Sequence, residues 1–116
     1  MRYLLEKELL SVLYRGKSVE QFLGYGSTDK TIRWIELRPK VETSEVWLFE
    51  VENIGSNDYL DVYSFPEVDG SNSQALVTLQ PEKAIQYCYE ELNAIPTCWV
   101  NQGVIQDEYA NLLSQN

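Results

Sequence analysis

Three runs of β-branched and aromatic residues follow one another with only short gaps between them: TIRWIELRP (31–39), SEVWLFEVEN (44–53) and YLDVYSF (59–65). Pro39 ends the first run. In the second, Trp47, Phe49 and Val51 alternate with Val46, Leu48, Glu50 and Glu52, and in the third Leu60 and Val62 alternate with Tyr59, Asp61 and Tyr63. Parallel pairing of consecutive strands needs a crossover of about a dozen residues, so these runs predict an antiparallel meander. NIGSND (53–58) supplies turn residues between the last two runs, and Pro66 with VDGSNSQ (68–74) closes the segment.

Outside this stretch the period changes. Leu4, Leu5, Leu9, Leu10, Val12 and Leu13 form one apolar stripe and predict a helix over residues 3–14. SVEQFLGYG (18–26) reads as a short helical turn, with Ser18 as N-cap and Gly24 at its end. TLQPEKAIQYCYEELNA (78–94) places Pro81 at a first helical position, Glu82 in the first turn, and Ala84, Ile85, Cys88, Tyr89 and Leu92 at helical spacing, with Asn93 and Pro96 ending it. QDEYANLL (106–113) predicts a terminal helix over the sheet. The expected fold is α+β, an antiparallel β-meander of three to four strands with helices packed on one face.

A chain of 116 residues without repeat, low-complexity tract or linker is expected to form one domain, residues 1–116. Its start, MRYLLEKELLSVLYRG, is broken by Glu6, Lys7 and Glu8 and does not read as an export signal. Cys88 and Cys98 have neither CxxC nor zinc-finger spacing and are expected to be reduced thiols of a cytoplasmic protein, Cys88 as part of a helix's packing face.

With no histidine, the chain lacks the imidazole of Ser-His-Asp and Cys-His catalysis and the commonest zinc ligand. NIGSNDYLD and EVDGSNSQ do not match the spacing of a calcium-binding EF-hand loop, and GYGS (24–27) lacks the lysine of a phosphate-binding loop. No catalytic residue, metal ligand or cofactor is therefore assigned. The surviving enzymatic option is a pair of carboxylates, as in glycoside hydrolysis.

Charge is the more informative property. The net charge is −9, a field that repels phosphate backbones and anionic lipid, so neither nucleic acid nor membrane is expected as a partner. Residues 1–40 hold eight basic and five acidic residues, a balance of +3, whereas residues 41–116 hold one basic and thirteen acidic residues, a balance of −12. Such asymmetry makes a charged face, provided that the fold does not interleave the halves. Eight carboxylates and no cation fall within residues 41–70. Like charges facing each other across a sheet are destabilising, and this stretch holds no lysine to relieve them. A docking surface for a cationic protein accounts for the pattern. Glu50, Glu52, Asp58, Asp61, Glu67 and Asp69 are the candidate electrostatic contacts, with Trp47, Tyr59 and Tyr63 as aromatic anchors.

WVNQGVIQDEY (99–109), together with the wording of RWIELRP, EVWLFEVEN and YLDVYSF, resembles small bacterial immunity proteins encoded beside polymorphic or contact-dependent growth inhibition toxins. The resemblance implies a non-enzymatic inhibitor that binds its cognate toxin domain inside the producing cell. An acidic inhibitor suits a basic nuclease toxin, whose phosphate-binding surface it can occupy. The alternatives are a scaffold or regulatory protein-interaction module and a small carboxylate-dependent hydrolase. Exposed aromatic residues are equally compatible with a homodimer.

Overall fold

A computed structural model describes residues 2–68 and 74–115. Its elements run α1 (Glu6–Tyr14), β1 (Val19–Tyr25), β2 (Thr31–Pro39), β3 (Ser44–Glu52), a 3-10 turn (Val62–Ser64), β4 (Val77–Leu79), α2 (Pro81–Glu91), β5 (Val100–Asn101) and α3 (Ile105–Ser114). The sheet has five strands in the order β4-β3-β2-β1-β5, each pair antiparallel. The α+β class and the meander are therefore present, with β1–β2–β3 as its consecutive hairpins.

Two segments differ from expectation. Residues 18–26 contribute β1 rather than a helical turn. The alternation of β1 is hidden because Glu20 takes an inward position and because the register shifts between Phe22 and Gly24, with Gly24 at φ +87°. YLDVYSF is not a strand. Val62 and Phe65, three residues apart, are its buried pair, while Tyr59 and Tyr63 stay about half exposed, which is the spacing of a tight helical turn.

Helices pack against the sheet on both sides. β2 divides its side chains between two cores: Ile35 and Leu37 to one, Ile32 and Trp34 to the other. On the first side, Val19 and Val46 join them beneath Leu9, Val12 and Leu13 of α1 and Ala84, Ile85 and Cys88 of α2. Each such aliphatic side chain taken out of water contributes roughly 1.5–3 kcal/mol. Cys88 is fully buried here, and burial pushes its thiol up to about 12. On the second side, Val51 and Val100 pack with Val62 and Phe65 and with Ile105 and Tyr109 of α3.

Local chemistry fixes the ends. The Glu8 carboxylate accepts the Leu5 N–H at 2.9 Å ahead of α1, and Pro81 opens α2, where a missing N–H costs nothing. The loop after β3 is tied to α3 by Tyr109, whose hydroxyl donates to Asn53 Oδ1 (2.5 Å) and accepts the Gly55 N–H (3.0 Å). A Cβ on Gly55 would lie 2.6 Å from the Tyr109 ring, so only glycine allows this approach.

Candidate functional site

The sheet order settles what becomes of the acidic stretch. β2, from the basic half of the chain, lies directly against β3, from the acidic half. Arg33 is the cross-strand partner of Glu50, and Arg38 of Glu45. The halves are interleaved, and the relief that residues 41–70 could not supply comes from cations of the basic half, Arg33 for Glu50 and Lys40 for Glu45. Glu50 accepts from Arg33 Nε at 3.2 Å and from Thr31 Oγ1 at 2.7 Å. Glu45 accepts from Trp47 Nε1 at 3.1 Å and lies 3.9 Å from Lys40 Nζ.

The expected contact residues consequently separate. Strand alternation puts Glu50 and Glu52 on the α1/α2 side of β3 and Trp47 on the other, so the structure does not bring them onto one surface. Glu50 is an ion-pair partner within the sheet. Glu52 is exposed at the strand end, where its N–H donates to Pro66 O at 2.9 Å. Asp58, Tyr59, Asp61, Tyr63 and Glu67 belong together, not on a strand as Tyr59, Asp61 and Tyr63 were expected to be, but on the irregular segment that crosses the second side. Among the described residues no Lys or Arg lies within ion-pair distance of Glu52, Asp58, Asp61 or Glu67. Ile54, Tyr59 and Tyr63 expose about half their surface beside them, at 51%, 41% and 43%. Asp69 lies outside the described residues.

Beyond this segment the second side of the sheet stays open and carries groups that the sequence did not single out. Glu20 and Glu36 are direct cross-strand partners on β1 and β2, and both are buried. Arg38 grips Glu36 through two hydrogen bonds, Nε to Oε2 at 3.1 Å and Nη2 to Oε1 at 3.0 Å, and Ser18 Oγ donates to Oε2 at 2.9 Å. Tyr63 turns its hydroxyl inward to donate to Glu20 Oε1 at 2.6 Å, and the Gly103 N–H donates to the same oxygen at 2.9 Å. Glu20 Oε2 is buried without a partner among the described residues. Burial raises the Glu20 carboxyl above its ordinary range, the two donors oppose the rise, and the facing Glu36 adds to it. Burial and the Glu20 carboxyl push the Tyr63 phenol far above its usual value.

Two facing carboxyls, one of them raised, are part of what a carboxylate hydrolase needs. Here both carboxyls are held by groups of the chain itself. Glu20 has no exposed surface, and Arg38 and Ser18 occupy Glu36. Glu20 anchors Tyr63, and with it the acidic segment, to the sheet. The signal for it was faint: a single glutamate at an inward position of a run too polar to read as a strand.

Alongside lies a row of stacked groups. The Arg38 guanidinium sits 4.1 Å over the Trp47 ring, Trp47 stacks on Phe49 (5.8 Å, 9°), and Phe49 stacks on Trp34 (5.3 Å, 21°). Tyr63 meets Trp34 edge-on at 5.7 Å. A cleft of about 290 Å³ opens against this row, between Trp34, Phe49, Tyr63 and Phe65, with Glu36 and Glu67 among its polar groups.

No protein-family model matches the chain, and comparisons with curated proteins and with solved structures give no significant similarity. Among the described residues, no helix is long and apolar enough to cross a membrane, and no group of three or more Cys, Asp or Glu is placed to hold a metal ion.

Proposed function

We propose that this chain is a non-catalytic binding protein that neutralises a basic protein partner, in the manner of an immunity protein acting on its cognate toxin in the cytoplasm. The observation that carries the reading is the sorting of the acidic stretch. Glu45 and Glu50 lie against cations of the chain itself, whereas Asp58, Asp61 and Glu67 share one segment with half-exposed Ile54, Tyr59 and Tyr63 and have no Lys or Arg within ion-pair distance among the described residues. Uncompensated carboxylates steer a cationic surface into encounter, and neighbouring aromatic side chains supply contact area at low entropic cost. A nuclease domain is the partner class that fits, because it must present cations to phosphate. The resemblance of WVNQGVIQDEY to immunity proteins supports the same reading independently of charge.

The test is recovery of the partner from the native strain, followed by titration of the purified pair at two salt concentrations. Replacing Asp58, Asp61 and Glu67 together by Lys should slow association at least tenfold and flatten its salt dependence, since rim charges act mainly through the on-rate. A partner that binds the triple variant unchanged would remove this segment from the interface. A toxin gene beside this one favours immunity over a scaffold or regulatory module.

A further inference from the structure

The cleft beside Trp34 contains charges that differ in how they are answered. Glu36 and Arg38 satisfy each other within the chain, at 3.0 and 3.1 Å. Glu67 lines the same cleft, is exposed, and has no Lys or Arg within ion-pair distance among the described residues. Trp34 forms part of the wall and is 2% exposed. The cleft thus combines an aromatic wall with one uncompensated carboxylate. Its volume, about 290 Å³, lies at the lower limit of ligand pockets and suits one long side chain better than a whole metabolite.

We propose that this cleft receives a single arginine side chain of the basic partner, a refinement that rests on the reading of the acidic segment as a docking surface. The guanidinium lies against the aromatic wall and pairs with Glu67. Arginine fits better than lysine. Its planar, weakly hydrated head stacks on ring faces, whereas an ammonium keeps its water. The molecule already contains that packing one step along the row, where Arg38 lies over Trp47 while holding a carboxylate.

The experiment is a titration of the full chain with N-acetyl-arginine N-methylamide, followed by the NMR signals of the Trp34 indole N–H and the Phe49 ring. N-acetyl-citrulline N-methylamide, with the same shape and no charge, is the control. Saturable shifts at Trp34 and Phe49 with the arginine probe, weaker with citrulline and about three- to fivefold weaker in Glu67→Gln, are expected. Glu67 is exposed, so the variant should keep the parent spectrum elsewhere. Equal response to both probes, shifts confined to other surfaces, or indifference to Glu67→Gln would overturn the assignment. The two readings fail separately. A basic partner that binds with strong salt dependence while the arginine probe leaves Trp34 unmoved would keep the docking surface and remove the cleft from it. A probe that fills the cleft when no basic partner binds would do the reverse.

Discussion

The two sides of the sheet are closed by different means. On the α1/α2 side, two amphipathic helices lay apolar stripes on Val19, Ile35, Leu37 and Val46, and the core is continuous. On the other side one helix and an irregular segment cover only the end near Ile32 and Val51, and the rest is left to Glu36, Arg38, Trp47 and Phe49. The first side is given mainly to excluding water, and its strand ion pair, Arg33 with Glu50, closes within the chain. The second mixes packing with charges whose partners must be found within the chain or outside it. A sheet with one sealed face can keep the other for contact without risk to the fold.

The largest effect that would test this contrast comes from a tryptophan on each side. Trp99 is fully buried in the α1/α2 core, its indole donating to the Tyr89 hydroxyl at 3.1 Å. Trp99→Ala should lose about 3–5 kcal/mol of unfolding free energy. Trp47→Ala, on the open side, gives up a stacked pair and the guanidinium of Arg38 and should lose no more than about 2 kcal/mol. Urea unfolding of both variants measures the difference, and equal losses would mean that the second side is as much a core as the first.

A smaller and pH-dependent effect sharpens the comparison. The Glu20 carboxyl is raised in the fold, so its contribution to stability is fully present below the unfolded value, about pH 4.3, and is lost as pH rises through the folded one. Glu20→Gln keeps an acceptor for Tyr63 and Gly103 but cannot ionise. Its stability should therefore gain on the parent as pH rises above about 4, each tenfold change in proton affinity counting about 1.4 kcal/mol. Urea unfolding of both proteins across that range would show it. A constant difference would mean that Glu20 ionises as freely as a surface acid.

Much of the first side was legible in the sequence, because it obeys one rule. The run TIRWIELRP coincides with β2, Pro81 stands at the first position of α2, and the Leu9, Val12 and Leu13 stripe of α1 packs as its spacing requires. The second side was less legible, because it departs from periodicity where it has chemistry. Glu20 broke the pattern of β1. Tyr59 and Tyr63 imitated a strand while the chain buried Val62 and Phe65 instead. β4 and β5, at three and two residues, are too short for any pattern to show. The acidic stretch was visible as composition, but which acids are paired depends on which cations of the basic half the sheet lays beside them, Arg33 for Glu50 and Lys40 for Glu45.

The position of Glu20 also bears on the order in which the chain assembles. β1 pairs with β2 through a short connection, but its other edge waits for β5, about eighty residues later in the sequence, and Gly103 comes two residues after β5. Contacts so distant form slowly, so during synthesis β1 is the bare edge of an unfinished sheet. Throughout that interval Glu20 is hydrated and ionised, and a charged side chain on an open edge discourages pairing with another copy. The residue that loses its water when β5 docks is the one that guards the edge until then. Pulse-labelling hydrogen exchange during refolding should find the amides joining β1 to β5 protected after those joining β1 to β2. Simultaneous protection would mean that the edge is never left open.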